Sequence, residues 1–206
     1  MFSKFLNDGG DPLDYMQELS SRYKVLIAAP SYEKAKEWKD FGVPPEKRNF
    51  STELEQFRQS NEGCFVLVAR FDGIDLPDDT CRVMLIDELP TGISLIERFH
   101  TETLGMDNIY EAKMANRLTQ LFGRINRGRN DYGVFIVNGR SINNWLDTER
   151  NQVLLPDILH KQVLLSLNMH KQAPMDSVEK IMDTIDGVID RDSDWLEFYA
   201  ESLEEK

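Results

Sequence analysis

A chain of 206 residues, 41% hydrophobic and with eleven phenylalanines, is long enough for one well-packed domain plus an extension. Its formal net charge is −12, but residues 175–206 hold eleven acids against three bases, so the preceding body carries only −4. Two cysteines without a CxxC, three scattered histidines and no apolar run near the roughly 20 residues that cross a bilayer argue against a disulfide framework, a metal centre and a membrane span. The first residues, MFSKFLNDGG, lack the apolar core of a secretory signal, so a cytoplasmic chain is expected.

In chain order, DPLDYMQELSSRY predicts a helix capped by Asp11, with Pro12 in its first turn. KVLIAA (24–29) is a short continuous apolar run, the pattern of a strand covered on both faces. PSYEKAKEWKDFG predicts a helix closed by Gly42, and Ser51 and Thr52 offer caps for a second helix, ELEQFRQSNEG. CFVLVA (64–69) and RVMLID (82–87) are further buried strands, separated by a loop rich in Asp, Gly and Pro. A long helix is expected from about Asn108 to Arg124, and YGVFIVN (132–138) as a fourth strand. Alternating short strands and helices predict an α/β fold with a mainly parallel sheet, in which ligands gather at the carboxyl ends of strands. After Asn151 strand signals cease. Three helical segments follow, one with Ile181, Met182, Ile185, Val188 and Ile189 at helical spacing. The expected division is a domain over 1–150 and an acidic helical extension over 151–206.

Within a net-acidic chain, the segment from Arg117 to Arg140 holds five arginines and one acid, Asp131. On a helical wheel Leu118, Leu121, Phe122 and Ile125 form one stripe, and Gln120, Arg124 and Arg127 fall on the opposite side with Gly123 beside them. Such arginines are often merely solvated. They also present guanidinium forks suited to phosphate oxygens.

A second motif sharpens the choice. ARFDGIDLPDDTCRVMLIDELP followed by QLFGRINRGRNDYGVFIVNGR resembles motifs V and VI of superfamily 2 helicases, and within them the DinG-like and xeroderma-pigmentosum-group-D-like branch. The matching residues are Gly73-Ile74-Asp75, Leu89-Pro90, Gln120, Gly123, Arg124, Arg127, Asp131 and Gly133, and KVLIAAPS is similar to motif IV. The resemblance covers about residues 12–147. It implies a RecA-like three-layer fold, the second of two motor domains, with ATP in the cleft between them. It implies Arg127 as arginine finger, Arg124 and Gln120 in support, and Asp75 at the nucleotide sugar or coupling the two sites. Gly73 allows a tight loop and Gly123 a close approach. ATP and Mg2+ are expected only together with an N-terminal RecA-like domain or subunit, which supplies the P-loop and the acidic magnesium motif. Single-stranded nucleic acid is the other implied partner, with Ser31 and Arg70, and also Lys34, as loop contacts. Ser31 has the alternative of capping a helix, and Arg70 that of plain exposure. Ala69 and Asp72 depart from the family's small hydroxyl residue and Glu, which weakens the nucleic-acid side.

VMLIDE (83–88) imitates a Walker B strand. No Gly-Lys pair occurs anywhere in the chain, so no Walker A lies before it, and Asp87 and Glu88 are expected to be strand-end acids with no metal site. The isolated chain is therefore expected not to hydrolyse ATP. The alternative function is a non-catalytic RecA-like interaction or regulatory module.

Overall fold

The computed structural model describes residues 12–69, 76, 80–91, 107–125, 132–172 and 177–204. In order these form α1 (Pro12–Arg22), β1 (Lys24–Ala29), α2 (Tyr32–Ala35) with a 3-10 turn (Lys36–Trp38), α3 (Phe50–Gln59), β2 (Gly63–Val68), β3 (Val83–Asp87) and α4 (Asp107–Phe122). Then come β4 (Val134–Asn138), α5 (Arg140–Asp147), α6 (Glu149–Gln152), α7 (Asp157–Gln172), α8 (Val178–Ile189) and α9 (Ser193–Glu204).

The four strands pair in parallel in the order β2-β1-β3-β4. Successive strand residues alternate between two cores, as the two-residue period of a strand requires. Leu26, Phe65, Met84 and Val137 face a core closed by α3, α4 and α5, whereas Ile27, Val66, Leu85 and Ile136 face one closed by α1 and α8. Because helices cover both faces, the strands need side chains that are apolar on both sides, hence the unbroken runs. All five residues of β3 are buried. The result is the expected α/β, RecA-like three-layer arrangement.

Several boundaries differ from the sequence expectations; α3 ends at Gln59 and α4 at Phe122, both short of the expected ends. The helix expected over 30–42 tightens after Ala35 into a 3-10 turn, whose i, i+3 eclipse sets Ala35 and Trp38 into the same core. α3 starts at Phe50, ahead of the expected caps, because Phe50 packs edge-on against Phe65 with ring centroids 5.8 Å apart. β4 starts at Val134, two residues late. α5 was not anticipated at all, although Ile142, Trp145 and Leu146, all buried, carry its helical spacing. The expected cap at Asp11 lies outside the described residues.

Beyond residue 150, α8 belongs to the second core: Ile181, Met182 and Ile185 are buried against α1 and the sheet. Asp186 fastens it further, accepting hydrogen bonds from the Tyr23 hydroxyl (2.6 Å) and Arg22 (2.9 Å) at the end of α1. α9 packs on α7 and α8, with Gln162 donating to the Tyr199 hydroxyl at 2.7 Å. Leu196 and Phe198 on α9 stay exposed.

Candidate nucleotide and nucleic-acid surfaces

The later part of α4 runs from the carboxyl end of β3 toward the amino end of β4, where Phe122 packs edge-on against Phe135 with ring centroids 4.7 Å apart. In the second half of α4 Arg117 donates to the Pro90 carbonyl (3.1 Å), just past the carboxyl end of β3. Its last residues reach the opposite edge, where the stripe Leu118, Leu121, Phe122 and Ile125 is buried as the wheel predicted. On the other side Gln120 is exposed and Arg124 half-buried. The helix stops at Phe122, and Gly123, Arg124 and Ile125 form a turn.

The two glycines flanking this turn have different physical roles. A Cβ on Gly133 would stand 2.7 Å from the Arg82 carbonyl oxygen and 2.9 Å from Ile125 Cδ1, so the start of β4 has no room for one. Among the described residues, a Cβ on Gly123 would meet the Thr119 and Gln120 carbonyl oxygens at 3.4 and 3.6 Å, ordinary contact distances. The described neighbours therefore demand glycine at 133, whereas those around 123 leave ordinary contact distances.

The backbone N–H of Leu76 donates to the Arg124 carbonyl at 3.4 Å, and the Leu76 side chain is fully buried in the first core. Leu76 directly follows Gly73-Ile74-Asp75, so the end of that loop and the arginine turn, 48 positions apart, are joined. Gly73, Asp75, Arg70, Arg127 and Asp131 themselves lie outside the described residues.

Ser31, the other nucleic-acid candidate, stands at the opposite, carboxyl edge. Its hydroxyl oxygen accepts the Lys34 N–H at 3.2 Å, so it caps α2, the alternative weighed for it. The structure thus sets the arginine turn and the Ser31 corner on opposite edges of one sheet.

Both carboxylates of the Asp87-Glu88 pair accept hydrogen bonds from the surrounding fold. Asp87, fully buried at the end of β3, accepts from Trp38 Nε1–H at 2.6 Å and from the Asn138 side-chain amide at 2.7 Å. Burial pushes its carboxyl up to about 6, while Trp38, Lys34 and Asn138 pull the other way. Glu88, at φ +69°, turns its carboxylate onto the start of α5, accepting from the Arg140 and Ser141 N–H groups at 3.2 and 3.1 Å and from the Ser141 hydroxyl. Gly139, at φ +102°, lies so close that a Cβ there would fall 2.3 Å from the Glu88 carboxyl carbon. Among the described residues no three His, Cys, Asp or Glu side chains gather in a group that could hold a metal ion. Sequence reading missed the roles of Trp38, Asn138 and Leu76. A tryptophan three residues after a core alanine was the one available signal.

With this geometry in view, the chain belongs to the helicase C-terminal domain family, whose model matches residues 13–162. The match runs 12 residues past the expected boundary at 150. No curated protein matches the chain significantly. Family membership makes this a domain of the ATP-driven helicases, which work with an N-terminal motor domain and on nucleic acid. Among the described residues no helix is long and apolar enough to cross a membrane.

Proposed function

We propose that this chain is the second motor domain of an ATP-dependent DNA or RNA helicase or translocase of the DinG-like and xeroderma-pigmentosum-group-D-like branch. It contributes motifs V and VI to an ATP site whose P-loop and magnesium-holding acids are on another domain or subunit. The observation that carries this is the Leu76–Arg124 backbone hydrogen bond, which ties the end of the Gly73-Ile74-Asp75 loop to the arginine turn. A non-catalytic module has no need of the set Asp75, Gln120, Arg124 and Arg127 that these two segments carry.

In this scheme Arg127 is the finger that reaches the terminal phosphate. Arg124 and Gln120 line its approach, and Asp75 meets the nucleotide sugar. ATP supplies the energy of the cycle when it is bound between the two domains. The part of this chain is to present fixed guanidinium charge where negative charge develops, worth about 10³–10⁵ in rate. Ser31 and Arg70 are assigned to the backbone of a single strand crossing the carboxyl edge.

The test is to express the natural reading frame with the P-loop domain it works with and to measure ATPase activity with and without single-stranded DNA and RNA. Strand-stimulated hydrolysis that drops about 10³-fold or more in Arg127→Ala is expected. Unchanged turnover in that variant would mean that this half only binds partners, the alternative of a RecA-like interaction module.

A further inference from the structure

The chain leaves β1 toward β2 on one side and returns to β3 on the other, so the crevice outside the carboxyl ends of β1 and β3 is the topological switch point of the sheet. Ser31 and Lys34 of the β1–α2 corner bound it on one side and Asp87 on the other. An open hollow of about 450 Å³ lies above the corner, lined by Ser31, Glu33, Lys34, Lys36 and Glu37. Lys36 is exposed and pairs with the equally exposed Glu33 at 2.6 Å. Lys34 is held differently. Its ammonium lies 2.6 Å from Glu37 and 3.9 Å from the fully buried Asp87, and only 27% of its side chain is exposed.

We propose that Asp87 is an internal competitor for Lys34: with Glu37 it draws the ammonium against the sheet edge and so limits how tightly that edge grips the phosphates of a single strand. This rests on the nucleic-acid part of the proposed function. The physical basis is that one ammonium cannot serve two carboxylates and a phosphate at full strength. Burial disfavours the Lys34 charge, yet Glu37, Asp87 and Glu88 outweigh it and hold the ammonium more firmly protonated than usual. Around Asp87 stand Lys34 from α2, Glu37 and Trp38 from the 3-10 turn, Asn138 from β4, and Tyr15 from α1. Among the described residues the buried Tyr15 hydroxyl has no hydrogen-bond partner, and burial, followed by the Asp87 charge, raises its pKa. Lys34 is the only basic group in that set, so loss of the Asp87 charge acts on it directly.

Asp87→Asn removes the charge and keeps the shape. The new amide oxygen still accepts from Trp38, and the new amide N–H donates to the Asn138 oxygen once that side chain turns over. The experiment uses the full chain and a fluorescein-labelled oligo(dT) of about 20 nucleotides, followed by anisotropy over a salt series at neutral pH. Asp87→Asn is expected to bind about five- to tenfold tighter, with a salt slope steeper by about 0.7 for one added phosphate contact. The gain is expected to vanish when Lys34→Ala is added. Equal or weaker binding by Asp87→Asn, or a gain that survives Lys34→Ala, overturns the proposal.

A second readout needs no nucleic acid. The rate of Lys34 acetylation by a small activated ester, measured by peptide mass, is expected to rise several-fold in Asp87→Asn. Unchanged lysine reactivity overturns the competition itself. If neither protein binds the oligonucleotide, the nucleic-acid reading of this edge falls and the limit on its grip with it, while the lysine rates separately decide whether Asp87 restrains Lys34.

Discussion

Replacing each of the two glycines beside the arginine turn by alanine separates what the fold needs from what a partner needs. In Gly133→Ala the new methyl would lie 2.7 Å from the Arg82 carbonyl oxygen and 2.9 Å from Ile125 Cδ1. Both neighbours are fixed. The Arg82 carbonyl accepts the Val134 N–H at 2.7 Å, and Ile125 is buried in the first core. Relief therefore requires β3 and β4 to part at their amino ends or Ile125 to leave its place. Overpacking of this kind costs about 1–3 kcal/mol, and a backbone oxygen in the way puts this case at the upper end. In Gly123→Ala the methyl meets ordinary contacts among the described residues, and the loss of unfolded-state freedom stabilises by about 0.4–1 kcal/mol. Urea denaturation followed by circular dichroism measures both. The expected result is a lower midpoint for Gly133→Ala and an equal or higher one for Gly123→Ala. In the ATPase assay with the P-loop partner the order reverses for Gly123→Ala, which is expected to lose activity while remaining well folded. A Gly133→Ala protein as stable as the parent would refute the steric argument. Full ATPase activity in Gly123→Ala would refute the idea that an outside group approaches there.

Two further outcomes concern the rest of the fold. Ile185→Ala in α8 is expected to cost about 2–5 kcal/mol in urea denaturation, because its fully buried side chain closes the second core; a loss below about 1 kcal/mol would mean that α8 is not integral to the fold. Asp87 gives a pH signature. Its folded value, about 6, lies above its ordinary value of 3.8, so the folded state holds the proton more tightly. Its contribution is full below pH 3.8 and is lost as pH rises through 6, by about 3 kcal/mol for a shift of this size. Stability of the parent minus that of Asp87→Asn, measured from pH 4 to 7, should fall by that order. A flat difference would show that the Asp87 carboxyl titrates normally.

The strands and the buried stripe of α4 were legible in the sequence because both are local patterns. Apolar runs of strand length with turn residues between them specify a covered parallel sheet, and the spacing of Leu118, Leu121 and Phe122 specifies which side of α4 goes inward. The order of the GID loop and the arginine helix was legible as well, and with it the resemblance to the helicase family. What only the tertiary structure decided are contacts between residues far apart in the chain. No periodicity reveals that Trp38, Asp87 and Asn138 converge, since they come from three different segments and each looks unremarkable in its own. The stripe of Ile181, Met182 and Ile185 announces an amphipathic helix, but its period says nothing about which surface it covers; that was settled by the apolar face of the sheet beside α1, which α8 closes. Nor does sequence distinguish Gly123 from Gly133. Each lacks a side chain, and only the neighbour that a side chain would strike tells the two apart.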